Sequence, residues 1–242
     1  MTIYYADLHV HTAASPDGRS SLKDLTAAAA AAGLQALAVT DHDRCTPVPA
    51  AMNGILLIPG CELSTRAGHI TGLFLEKPVD LAALGRLPEP EAAVAAIRAA
   101  GGLAVLAHPF QRPDRREADF AFPLDAVEAV NARACFKHPA ANDQAAAFAA
   151  ARGLPAVGGS DAHSAGEVGN GLTILEADAL TLPALRAALA AGRCRAQLRK
   201  NTPHLRKGLS QWTKARRQGG ARRLCRAAAY MGYCALLDLF RR

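Results

Sequence analysis

Asp7-Leu8-His9-Val10-His11-Thr12, at the end of the short β-type run Ile3-Tyr4-Tyr5-Ala6, holds two histidines two positions apart. Successive side chains on a strand point to opposite faces, so His9 and His11 emerge on one side with their imidazoles close together. That is metal-ligand geometry. A carboxylate follows at once in Ser15-Pro16-Asp17-Gly18. A lone histidine on an apolar face is ordinary core packing, whereas this pair requires the rest of the chain to supply further ligands.

Downstream, strands and helices alternate. Ser20-Ser21 offers an N-cap to an alanine-rich helix stopped by Gly33. Leu37-Ala38-Val39-Thr40 is a short buried strand ending in Asp41-His42-Asp43. Ile55-Leu56-Leu57-Ile58 is another, closed by Pro59-Gly60 and followed by Cys61-Glu62-Leu63-Ser64-Thr65, with residues 69–75 its partner across a turn. A helix over 91–100 precedes the strand 103–107, which delivers His108-Pro109-Phe110. The strand 126–130 ends near Asn131 and Arg133, a helix covers 140–152, and the strand 155–160 delivers Asp161-Ala162-His163. A strand at 172–175, a helix at 182–191 and a strand at 195–198 close the series. Such alternation argues for parallel βαβ units, and in barrels of such units functional groups gather at the C-terminal ends of the strands. His9, His11, Asp17, His42, Glu62, His108, Asp161 and His163 all fall there.

His9-Val10-His11-Thr12 with Ser15-Pro16-Asp17-Gly18, then Thr40-Asp41-His42-Asp43, Pro59-Gly60-Cys61-Glu62, Ala107-His108-Pro109-Phe110 and Ser160-Asp161-Ala162-His163 resemble, in order, the motifs of the PHP family, the polymerase and histidinol phosphatase superfamily. The resemblance covers roughly residues 4–198 and is to its small stand-alone members. It implies an α/β fold, a distorted TIM-like barrel of seven β/α units, with two or three divalent metal ions, commonly Zn, Mn or Fe, and hydrolysis of phosphate esters. It also implies that His9, His11, Glu62 and Asp161 hold one metal, that Glu62 bridges to a second bound by His108, and that Asp17, His42 and His163 hold a third. Mixed imidazole and carboxylate donors independently suit zinc, manganese or iron, and a bridge needs a carboxylate with two oxygens. Water activated by close metals attacks without a nucleophilic side chain.

Some relatives carry a further histidine ligand where this chain has Asn131 and Arg133. Arg133 reads as a bidentate phosphate clamp, the alternative being a plain surface arginine. With Glu62, Asp161 and His163 it completes the expected catalytic set. His69 is either a substrate contact or proton donor, or an ordinary strand histidine. Ser64 and Thr65 either donate to substrate oxygens or serve the turn. Asp41, Asp43 and Glu128 are expected to orient metal-bound imidazoles. His138 and His204 have no motif around them and are expected at the surface.

The 242 residues suffice for one sizeable domain with an appendage: a metallohydrolase domain over 1–198 and a basic extension over 199–242. Thirteen Lys or Arg against the single acid Asp238 fall in residues 195–242, while the residues before them hold fifteen basic against twenty acidic side chains. The extension is read with a helix over 227–240, too short to span a bilayer. A partly disordered solvated tail, an electrostatic nucleic-acid contact and a helix on an anionic membrane surface remain open. The six cysteines show no CxxC or zinc-finger spacing, which fits reduced thiols, and Met1-Thr2-Ile3-Tyr4 lacks the basic start of a signal peptide, so a cytoplasmic protein is expected. The expected activity is that of a metal-dependent phosphoesterase acting on a phosphorylated metabolite, a nucleotide or an oligonucleotide end. The alternatives are a hydrolase of carboxyl esters or amides and a metal-stabilised, non-catalytic nucleic-acid-binding module.

Overall fold

The opening run forms β1 (Thr2–Val10), whose last five residues are buried. It pairs in parallel with β2 (Ala36–Val39) and antiparallel with β9 (Gly171–Ala177). This is a computed structural model, and it describes residues 1–240; the last two positions of the basic extension lie outside the described residues. Between β1 and β2 lies α1 (Leu22–Ala31), started by a reciprocal cap in which Ser21 Oγ accepts from the Asp24 backbone N–H and Asp24 accepts from that of Ser21.

The sheet continues through β4 (Ile55–Thr65), flanked by the two-residue β3 (Ala51–Met52), to β5 (Gly68–Leu73), β6 (Leu103–Leu106), β7 (Ala126–Asn131) and β8 (Ala156–Gly159). On the other side of β1, β9 pairs with β10 (Cys194–Leu198). The nine strands of this path nearly close into a barrel, in the order β10-β9-β1-β2-β4-β5-β6-β7-β8. Connecting helices are the short α2 (Leu81–Leu84), α3 (Pro90–Ala99), α4 (Ala141–Ala151) and α5 (Leu182–Ala190).

The pairing is not parallel throughout. β4–β5, β5–β6, β9–β1 and β9–β10 are antiparallel. The two residues joining β4 to β5 are too few for the crossover that parallel neighbours need. Pro59-Gly60 does not end the fourth strand either. β4 pairs with β2 up to Pro59 and with β5 from Gly60, so the chain bends there while staying hydrogen-bonded. A side chain at Gly60 would put its Cβ 2.7 Å from the Gly72 carbonyl oxygen, which is why glycine occupies the bend. Another close approach brings the ends of the path together. A Cβ on Gly171 would lie 2.3 Å from the Gly159 carbonyl oxygen, and one on Gly159 would lie 2.4 Å from His9 Cβ. The tail of β8 therefore sits against β1, with Val10 bridged to Ala162.

The basic extension forms a helical hairpin, in line with the expected helical extension and against the reading of it as a partly disordered tail. α6 (His204–Gln218) and α7 (Ala221–Leu239) run antiparallel through Gly219-Gly220, both at positive φ. Only the second of these was foreseen, and it starts six residues earlier than read. Their axes come close because a Cβ on Gly208 would lie 2.9 Å from Met231 Cα. Asp238 on α7 caps α6 across the hairpin, accepting from the backbone N–H groups of His204 and Leu205 at 2.9 and 2.8 Å. His204, expected at the surface, is buried with Nδ1 2.8 Å from the same carboxylate. The hairpin rests on the rim of the barrel, held by Thr202 donating to the Ala132 carbonyl and by Arg133 reaching Ser210 and the Arg206 carbonyl.

Candidate metal centre

Six of the eight histidines converge on one end of the barrel around Glu62, which is fully buried. His9 and His11 leave β1 on one face, as the strand alternation requires, with their Nε2 atoms 3.1 Å apart. Glu62 Oε2 lies 3.4 Å from His9 Nε2 and 3.3 Å from His11 Nε2. Asp161 Oδ1 stands 3.8 and 3.4 Å from the same two nitrogens. Four donors bound to one ion at about 2.0–2.1 Å in a tetrahedron would stand roughly 3.3 Å apart, so the set fits a divalent cation. His42 Nδ1 approaches Glu62 Oε2 to 2.9 Å, but no contact to this buried oxygen has hydrogen-bond geometry, as expected of a ligand atom rather than of a structural carboxylate. His9 Nδ1 donates to Glu128 Oε1 at 2.9 Å, which fixes the tautomer that leaves Nε2 unprotonated.

The other oxygen of Glu62 faces a second cluster. Glu62 Oε1 lies 3.0 Å from His108 Nε2 and 2.9 Å from His69 Nδ1, and the latter nitrogen is buried without a hydrogen bond. Asn131 takes no part: its amide donates to Glu128 and its oxygen accepts from the Arg133 backbone. A third cluster forms around Asp17, with His163 Nε2 at 3.4 Å and His42 Nε2 at 3.6 Å. The structure thus brings together all eight sequence-derived metal-ligand candidates. Asp161 and His108 adopt positive φ, 53° and 28°, a backbone state that costs a non-glycine residue on the order of 1 kcal/mol and is concentrated at functional sites.

Electrostatics in the cage point the same way. Burial pushes the Glu62 and Asp161 carboxyls up, but the imidazoles around them more than offset it and hold both well below the usual range. Burial pushes His9, His11 and His108 down, and the carboxylates reverse that: all three end raised, His11 to about 9. The cage therefore favours positive charge at its centre, which protons or a divalent ion can supply. His163 differs, since burial and then the neighbouring Arg133 push it down and keep the imidazole neutral.

The expectations for the surrounding residues need correction. Arg133 does reach the site, with Nη1 2.9 Å from His163 Nδ1, but each guanidinium nitrogen already has a protein partner: Glu167, Ser210, the Arg206 carbonyl or His163. Buried in this web, it has no free pair of N–H groups with which to clamp a phosphate in bidentate fashion. Ser64 lies on the cavity wall, yet its hydroxyl donates to Asp43. Of the three acids expected to orient ligands, Glu128 holds the His9 ring and the His108 backbone. Asp41 instead accepts from Thr12 and Thr46, and Asp43 from Ser64, so both hold loops.

The centre opens into a cavity of about 470 Å³ whose outer wall is α6: Lys207, Gln211, Lys214 and Gln218 face it. Their spacing of four, three and four residues is a helical stripe, the signal by which the sequence could have revealed them. Burial pushes the Lys207 ammonium down to about 8, with Arg133 and Lys137 adding to the effect.

The sequence matches the PHP domain over residues 7–101 and the PHP-associated domain over residues 139–194. An uncharacterized protein of Methanocaldococcus jannaschii is 30% identical over 144 residues, which cover 52% of this chain and 81% of that protein. Among solved structures, a two-domain protein of Bacteroides vulgatus, described as containing a predicted PHP-like metal-dependent phosphoesterase, superposes with a TM-score of 0.61 at 21% identity, over 81% of this chain and 65% of that one. This chain thus spans less than two thirds of that protein's length. PsfC of Pseudomonas syringae gives a TM-score of 0.60 at 20% identity and covers 98% of this chain, and all of its own length is matched. With the motifs, the barrel and the clustered donors in agreement with these matches, the chain belongs to the PHP family.

Proposed function

We propose that the protein is a metal-dependent phosphoesterase of phosphorylated small molecules or nucleotides. The observation that carries the proposal is the buried Glu62 carboxylate, with Oε2 facing His9, His11 and His42 and Oε1 between His69 and His108. In this reading His9, His11, Glu62 and Asp161 hold one divalent ion, and Asp17, His42 and His163 hold another. Glu62 joins the first of these to a position served by His108 and His69, the latter standing in for the absent ligand at Asn131. Zinc, manganese and iron all suit these donors. Bound ions there supply Lewis-acid activation of water and neutralisation of charge on the phosphoryl oxygens.

The chain's own residues prepare the rest. Glu128 holds His9 by its ring and His108 by its backbone N–H, at 2.9 and 2.8 Å. Arg133, paired with Glu167, is a fixed positive charge beside His163 and a positioning residue that ties the hairpin to the centre. Lys207 and Lys214 present ammonium groups at the mouth, which favours a phosphate over an uncharged carboxyl ester or amide. The basic segment thereby belongs to the substrate's approach rather than to a membrane surface. Among the described residues no helix is long and apolar enough to cross a membrane, and the cysteines are all free, as in a protein kept in the reducing cytoplasm.

Purified protein supplied with manganese or zinc is expected to hydrolyse p-nitrophenyl phosphate. Glu62→Gln should lose bound metal and lower the rate at least about a hundredfold, in line with removal of a central electrostatic group. A Glu62→Gln protein with full metal content and wild-type rate would overturn the reading.

A further inference from the structure

A second cavity, of about 560 Å³, lies between α6, α7 and the rim of the barrel, and its lining shares Gln111, Lys207, Gln211, Lys214 and Gln218 with the cavity over the metal centre. The two spaces therefore adjoin along the stripe on α6. Six cations line the outer space: Arg112, Lys137, Lys207, Lys214, Arg223 and Arg226, with no Asp or Glu among the lining residues. They come from separate parts of the chain, the loop after β6, the segment after β7, and both helices of the hairpin. Among the described residues none of the six has a carboxylate at ion-pair distance; the recorded pairs of Arg use other side chains. Lys207 lies over the Phe136 ring, 5.4 Å from its centroid, and so is held in place at the junction of the two spaces.

Like charges gathered into one concavity repel one another, and a low-dielectric wall strengthens that repulsion. A solvated basic surface would scatter such groups, or intersperse acids. Here four cations of the hairpin join Arg112 and Lys137 beside the cavity over the metal centre, where an anion relieves the repulsion. The ligand must therefore carry negative charge beyond the group that reaches the metals. Arg223 and Arg226 line only the outer space, so they address that second group alone. Guanidinium forks suit phosphate oxygens at such a place.

We propose that the groove between α6 and α7 is a second phosphate subsite, so that the substrate is a phosphate ester bearing a further phosphate group, the outer one held by Arg223, Arg226 and Lys137 while the inner one is hydrolysed. The proposal rests on the phosphoesterase reading above. The second phosphate belongs either to a bis-phosphorylated small molecule, as a monoester approaching two negative charges, or to the next link of an oligonucleotide, as a diester with one; both offer the anionic phosphoryl oxygens that guanidinium forks fit.

The test compares kcat/KM on p-nitrophenyl phosphate, fructose 1,6-bisphosphate and a 5′-phosphorylated tetrathymidylate, for the full-length manganese-loaded protein and for Arg223→Gln/Arg226→Gln. Wild type should prefer at least one of the two-phosphate substrates over the aryl phosphate by more than about tenfold, the size of one charge-assisted contact. The double variant should lose most of that preference through KM, with kcat held. Which substrate is preferred identifies the source of the outer phosphate. Because both arginines are exposed, circular dichroism is expected to show an intact fold; should the variant not fold, wild-type rates titrated with inorganic pyrophosphate decide instead, competitive inhibition at least tenfold tighter than by inorganic phosphate being expected. Equal use of one- and two-phosphate substrates, a preference that survives the double substitution, or, in the pyrophosphate assay, equal inhibition by both anions overturns the subsite. Absence of hydrolysis of every substrate counts instead against the phosphoesterase reading.

Discussion

Glu128 shows how much of the centre is decided one residue beyond the ligands. Its carboxylate is almost fully buried, accepts from His9 Nδ1, from the His108 backbone and from the Asn131 amide, and so fixes one candidate ligand's tautomer and another's position. Glu128→Ala is expected to keep the barrel but weaken metal binding about 10–100-fold, as loss of such an outer partner does; titration of the apoprotein with zinc followed by calorimetry reads it, and an unchanged affinity would refute the orienting role. At this scale the sequence was informative where a candidate ligand follows directly from a strand end, as with His9, His11, His108, Asp161 and His163. It was less so for His69. Its importance comes from the antiparallel register that sets His69 opposite Ser64 on β4, two residues past Glu62, and that register is a tertiary property. Arg133 was placed correctly near the site, but its partners Glu167, Arg206 and Ser210 are 34, 73 and 77 residues away, so its engagement could not be read locally.

The elements divide similarly. The strand and helix alternation of the first 198 residues was legible from apolar runs, glycine stops and the Ser21 cap, while the antiparallel pairs and the bend at Gly60 were not, because they depend on which strands become neighbours. α6 escaped notice because its packed face is built from Gly208, Ser210 and Ala215, small residues that give a weak apolar period. Those small residues are what let the hairpin close. Gly208→Val would drive a branched side chain into Met231 and splay α6 from α7, displacing Lys207 and Lys214 from the mouth and Ser210 from Arg133. The expected outcome is a protein with normal metal content whose kcat/KM on aryl phosphate falls by about tenfold or more, consistent with misplacing groups that position substrate. A variant with unchanged kcat/KM would separate the hairpin from the chemistry.

Across the whole molecule, charge and topology are arranged together. A mildly acidic body turns Asp17, Glu62, Glu128 and Asp161 inward to a cage of imidazoles, and a basic hairpin folds back over the open rim of that cage. The resulting field draws anions toward the one end of the barrel where the ligand strands terminate. All of this hinges on divalent ions occupying the donor clusters around Glu62. Elemental analysis of the purified, dialysed protein, with hydrolysis of p-nitrophenyl phosphate followed before chelation, after it and on adding metal back, tests that claim most directly. The account predicts two or three equivalents of zinc, manganese or iron per chain, loss of the activity with the metal and its return with it; a metal-free protein that hydrolyses the ester at the undiminished rate would contradict it.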